Sequence, residues 1–84
     1  MDKEYEHSLA LLNLRNDAKI LKLKAVGNPP LRQTVISWES AEEELLNLKY
    51  DKEICGDVPG YEWRDLRIRE LETKLVDLRK QIYA

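Results

Sequence analysis

Phenylalanine is absent from these 84 residues, and cysteine, methionine and histidine occur once each. A lone cysteine, Cys55, cannot close an intrachain disulfide, so a disulfide-stapled secreted scaffold is excluded and a reducing compartment fits best. Three glycines and three prolines are too few for a collagen-like or low-complexity chain. No run approaches ~20 consecutive apolar residues, so none reads as a membrane span. Met1 to Glu6 mix charges instead of giving a basic stretch before an apolar one, so no signal peptide is read and cytoplasm is the expected address. Positive charge is not in excess either. Fourteen Lys plus Arg stand against 16 Asp plus Glu, a net charge of −2, which argues against nucleic-acid binding.

What remains is leucine and charge. Fourteen residues are leucine, 43% are hydrophobic and 36% are charged, a composition that favours helices. The length suits one small all-α domain spanning residues 1–84. Two breaks divide it, Gly27-Asn28-Pro29-Pro30 and Gly56-Asp57-Val58-Pro59-Gly60. Each glycine stands where a left-handed helix cap would go, and each following proline suits the first turn of a new helix. The spacing predicts three helices, about 3–26, 30–55 and 59–83, with Asn28 and Asp57 as N-caps.

The last helix has the clearest period. Tyr61, Arg64, Ile68, Leu71, Leu75, Leu78 and Ile82 alternate three and four apart, which makes a seam of coiled-coil type. Arg64 interrupts it near the end, its stem packing while the guanidinium reaches solvent or an acidic neighbour. The middle helix repeats the pattern with Leu31, Thr34, Trp38, Ala41, Leu45, Leu48, Lys52 and Cys55, where Trp38 opposite small Ala41 reads as a core anchor and Cys55 as a small buried hydrophobe.

The first helix differs. At ~100° per residue, Leu11, Leu14, Ala18, Leu21 and Ala25 share one face, while Tyr5, Leu9, Leu12, Ile20 and Leu23 share nearly the opposite one. Two opposed apolar stripes need two partners, supplied by the other intrachain helix or by another chain. Homo-oligomerisation is the economical reading, because a chain this short buries only ~60% of its unfolded surface alone.

Charge is distributed unevenly. Residues 1–38 carry six basic and four acidic groups, residues 39–57 two and seven, and residues 58–84 six and five. The expectation is that the acidic middle helix lies beside cationic neighbours and pairs with them. Arg15, Lys19 and Lys22, with Arg64, Arg67 or Arg69, are the candidates for an anion site, lining a pocket for a phosphate-bearing molecule between subunits. Salt bridges to Glu42, Glu43 or Glu44 are the plainer use for them.

Few residues carry catalytic chemistry. His7 shares the face of Leu14 and has no second His or Cys three or four residues away, so a zinc site is not formed by spacing. A nucleophilic Cys55 would need His7, from a different helix, as its base. Glu39 and Glu42 stand three apart, as do Glu62 and Asp65, and two such pairs facing each other could hold Mg²⁺ and a nucleotide phosphate chain. Over residues 39–65 this resembles the metal site of the all-α nucleoside triphosphate pyrophosphohydrolases, with Trp38 standing where that family places a further Glu. The resemblance implies a Mg²⁺-dependent hydrolase with Glu39, Glu42, Glu62 and Asp65 as ligands. No Gly-rich phosphate loop, nucleophile elbow or short recognition helix is present.

The function expected from these residues is non-enzymatic and needs no cofactor. It is a helical protein–protein interaction module acting as a homo-oligomer, an adaptor, regulatory subunit or small inhibitor of a larger assembly. Tyr5, Leu9, Leu12, Ile20 and Leu23 are its interface. The alternative is an oligomeric binder that sequesters an anionic small molecule, such as a nucleotide, between subunits; the hydrolase stands third.

Overall fold

The computed structural model describes residues 2–83 as three helices joined by two connections, with no strand among the described residues. The order is α1 (Lys3–Lys24), α2 (Pro29–Cys55) and α3 (Glu62–Tyr83). Asp2 caps α1 by accepting a hydrogen bond from the Glu4 backbone N–H at 3.0 Å. Asn28 caps α2 by accepting from Leu31 N–H at 3.2 Å, and Pro29 and Pro30 fill its first turn, where their missing donors cost nothing. Gly27 (φ +82°) and Gly56 (φ +70°) take the positive φ that turns the chain out of each preceding helix.

The third helix starts three residues later than its sequence suggests. Gly60 lies at φ +95°, and Tyr61 N–H donates to Val58 C=O at 3.1 Å, so a separate turn closes over Pro59. A right-handed helix cannot continue through that φ. Asp57 is therefore a loop residue 3.7 Å from Lys52 instead of an N-cap, and Tyr61 falls outside α3 and is exposed instead of joining the seam.

Two short connections leave α2 packed against both neighbours, while no Cα atoms of α1 and α3 approach within 8 Å among the described residues. The result is a flattened arrangement of 47 × 27 × 16 Å with α2 in the middle. Leu14 and Ala18 of α1, Val35, Trp38, Ala41 and Leu45 of α2, and Ile68, Leu71, Leu75 and Leu78 of α3 form one buried cluster. Trp38 is the core anchor its position suggested. Val35 was not part of the expected seam, and its burial follows from the central place of α2, which must present apolar surface over a broad arc to meet two neighbours. Cys55 goes the other way. It is exposed at the last turn of α2, its thiol 3.7 Å from the Asp51 carboxylate, because the late start of α3 leaves nothing to cover it.

Candidate functional site

The acidic groups of α2 divide between the cationic residues on either side. Toward α1, Glu39 accepts from Lys22 at 2.7 Å, Glu43 lies 3.5 Å from Arg15, and Glu53 lies 3.4 Å from Lys3. Toward α3, Glu44 receives two bonds from Arg67, at 2.5 and 2.8 Å, and Glu42 pairs with Arg79. Lys52 donates to Asp65 at 2.7 Å. The expected pairing of opposite helices is what the structure contains. Each exposed pair is worth only ~0–1 kcal/mol, so the set fixes register more than stability.

Two of these pairs shift protonation. The hydrogen bonds from Arg67 hold Glu44 below its ordinary value, and the hydrogen bond from Lys52 does the same for Asp65, while Lys52 and Arg67 are pushed upward by their carboxylates. A carboxylate more acidic in the folded chain than in the unfolded one stabilises the fold above its ordinary value and loses that contribution as pH falls through its folded value. The urea midpoint is therefore expected to drop on acidification below about pH 4.5, and Glu44→Gln together with Asp65→Asn to flatten that acid limb. A double variant with an unchanged acid limb would contradict the assignment.

The same pairing takes apart the arrangement that resembles a hydrolase site. Glu39 is held by Lys22 of α1, Glu42 by Arg79 and Asp65 by Lys52, and Glu62 is exposed in the first turn of α3. The four carboxylates do not converge, and no group of three His, Cys, Asp or Glu side chains among the described residues could hold a metal ion. Nor do His7 and Cys55 form a nucleophile and base. The His7 ring stacks on Tyr50 at 4.2 Å, 11° from parallel, whereas the Cys55 thiol is bonded to Asp51.

Of the six candidate anion ligands, the structure brings together only those on α1. Arg15, Lys19 and Lys22 line an open groove of about 270 Å³ with Leu23, Val26 and Arg32. Arg64, Arg67 and Arg69 sit on α3, beyond α2, and Arg64 and Arg67 are committed to carboxylates of α2. Arg32 is the residue sequence reasoning missed. It lies in the first turn of α2, and the tight connection at residues 25–28 folds that turn back beside the last turns of α1, so a hairpin drawn about Gly27 would have paired it with Lys22.

Arg64 is more deeply placed than a snorkelling side chain. It is 1% exposed, donating to Asp51 Oδ2 at 3.2 Å and to the Gly56 carbonyl at 2.7 Å, with its guanidinium 5.6 Å from the Tyr61 ring centre. The acidic-neighbour option is the one realised. The second bond satisfies a carbonyl at the C-terminal end of α2, one of the acceptors that helix geometry leaves free.

The outer face of α1 is the largest unsatisfied apolar feature of that helix. Leu11 and Leu21 are half-buried and Leu14, Ala18 and Ala25 buried against α2. The opposite residues Tyr5 (63% exposed), Leu9 (42%), Leu12 (53%), Ile20 (52%) and Leu23 (65%) face outward. Because α3 does not reach α1, no other helix among the described residues covers this stripe.

No helix of the described residues is long and apolar enough to cross a membrane. Comparison with known proteins finds no family model, no curated protein and no solved structure that matches the chain.

Proposed function

We propose that this chain is a non-enzymatic, helical protein–protein interaction module that works as a homo-oligomer in the cytoplasm, as an adaptor, regulatory subunit or small inhibitor of a larger assembly. The observation that carries the reading is the exposed stripe Tyr5, Leu9, Leu12, Ile20 and Leu23, on a helix whose other face is already buried. Surface arithmetic supports it. The chain exposes 6031 Å², whereas a compact folded chain of 9.9 kDa exposes ~5,200 Å². Its radius of gyration is 14.5 Å, against ~12 Å for a compact domain of 84 residues. A row of exposed large apolar side chains of this kind marks interaction sites on folded proteins.

The test is a charge placed in the stripe. Leu12→Asp and Leu23→Asp each bury a carboxylate in a contact that offers it no cation, which costs several kcal/mol, so the dissociation constant for self-association is expected to rise by ~100-fold or more. Helicity by circular dichroism stays within error of the parent, since both side chains point away from α2. Sedimentation velocity reads the first effect, and association that survives both variants overturns the assignment of this face.

The basic groove favours a second reading. Lys19 and Arg32 have no ion-pair partner among the described residues, and fork-shaped donors beside apolar Leu23 and Val26 suit a phosphate attached to a flat ring. A nucleotide at ~100 times its dissociation constant should add ~2.7 kcal/mol, raising the melting temperature of a domain this size by on the order of 10 °C. No shift across a nucleotide panel excludes it.

A further inference from the structure

We infer that the partner of the α1 outer face is a second copy of α1 laid antiparallel to the first, about a twofold axis level with residues 13–15. The inference rests on the homo-oligomer reading and adds the occupant and its direction. The stripe runs nearly the full helix, from Tyr5 to Leu23, and its three-and-four spacing continues through two polar positions, Asn16 and Lys19. Those two positions discriminate between the directions. A parallel pair sets Lys19 against Lys19 inside the seam, two ammonium groups with no counter-charge. An antiparallel pair centred near residue 14 sets Lys19 against Leu9, Asn16 against Leu12, and Tyr5 against Leu23, so every polar member of the stripe meets an apolar one and no like charges face each other within it; at the flank, Arg15 comes beside Arg15 of the second copy, each with the Glu43 carboxylate of its own chain 3.5 Å away as counter-charge.

The charges beside the stripe agree. The first turns hold Asp2, Glu4 and Glu6, and the last turn holds Lys22 and Lys24. Glu6 and Lys24 project to the same side of the helix at ~100° per residue, both are exposed, and neither is ion-paired within the chain among the described residues. In the antiparallel arrangement Glu6 lies beside Lys24 of the second copy, twice, by symmetry. The parallel arrangement stacks acid on acid and base on base. Opposed helix dipoles add to the preference, and a twofold contact of one face with itself closes without leading to filaments. Burying the stripe on both copies removes on the order of 1,000 Å² in total, the lower edge of a specific interface.

Direction can be read by distance. In a Cys55→Ser background, a nitroxide is attached singly at Asn13→Cys, beside the stripe, or at Val26→Cys, in the turn just past α1, both exposed positions without a charge. The mass of each labelled chain is measured by light scattering before spin–spin distances are taken. Dimers are expected in which the Asn13 labels lie within ~20 Å and the Val26 labels ~30 Å or more apart, because each residue away from the axis adds ~3 Å of separation along antiparallel helices. Equal distances at the two positions overturn the antiparallel arrangement and leave the dimer standing. A monomer mass at every concentration overturns both, and leaves the stripe for a foreign helix or a membrane surface.

Discussion

Leu75→Ala is expected to lower the unfolding free energy by about 3–5 kcal/mol, the upper part of the range for truncating a buried leucine. Leu75 has no exposed surface and sits mid-seam on α3, within the single cluster that α2 shares with both neighbours. In a flattened three-helix chain the hole has little surrounding material to collapse into it, which places the cost high. Small domains are stable by only ~5–15 kcal/mol, so the variant is expected to be largely unfolded near 37 °C. Urea titration followed by circular dichroism measures it. A loss under ~1 kcal/mol would mean that α3 is not held to α2 by this seam.

Arg64→Ala is expected to cost about 2–4 kcal/mol, which combines the lost packing of a buried side chain with a helix-terminal carbonyl left without its donor. Asp51 is half exposed and regains water when the guanidinium goes, so little of that cost comes from the ion pair itself. Two separate acceptors, Asp51 and the Gly56 carbonyl, use different nitrogens of the fork, so Arg64→Lys recovers only part of the loss, one ammonium being unable to span both. Hydrogen exchange at the amides of residues 50–56 is expected to quicken more than at the middle of α2. Stability unchanged in Arg64→Ala would contradict the capping role.

Much of this architecture is written in local chemistry. Asn28 before two prolines, and glycines where the chain leaves a helix, place the first connection to within a residue or two, and the inner seams of α1 and α3 follow from spacing because each of those helices touches one neighbour. The same reasoning fails where tertiary placement decides. Pro59 reads as a helix start until Gly60, whose positive φ turns the chain aside, is counted against it. Val35 is buried because α2 has neighbours on two sides along its middle, and Cys55 is exposed because the side chains that reach the last turn of α2, Lys3, Arg64 and Asp65, go to Glu53, Gly56 and Lys52 and pass it by, which no single seam can encode. Arg64 reads as an interruption of an apolar stripe, whereas it is aimed at the end of the neighbouring helix.

The site is legible to a similar depth. Two opposed stripes on α1 can be seen in the sequence, but not that α3 lies beyond α2 and leaves the outer one uncovered. The paired carboxylates that resemble a metal centre in the sequence are divided in the fold, with Glu39, Glu42 and Asp65 each beside a separate cation, Lys22, Arg79 and Lys52, which spacing along a helix does not show. Arg32 was hidden for a different reason: it joins the basic groove through the fold of a hairpin, not through helical spacing.

The central claim is that the outer face of α1 is covered by a second copy of the chain. Light scattering over a hundredfold range of concentration, with and without nucleotide, tests it most directly. The account predicts a mass approaching twice the 9.9 kDa of the chain as concentration rises, unchanged by nucleotide. A mass of one chain at every concentration would contradict it.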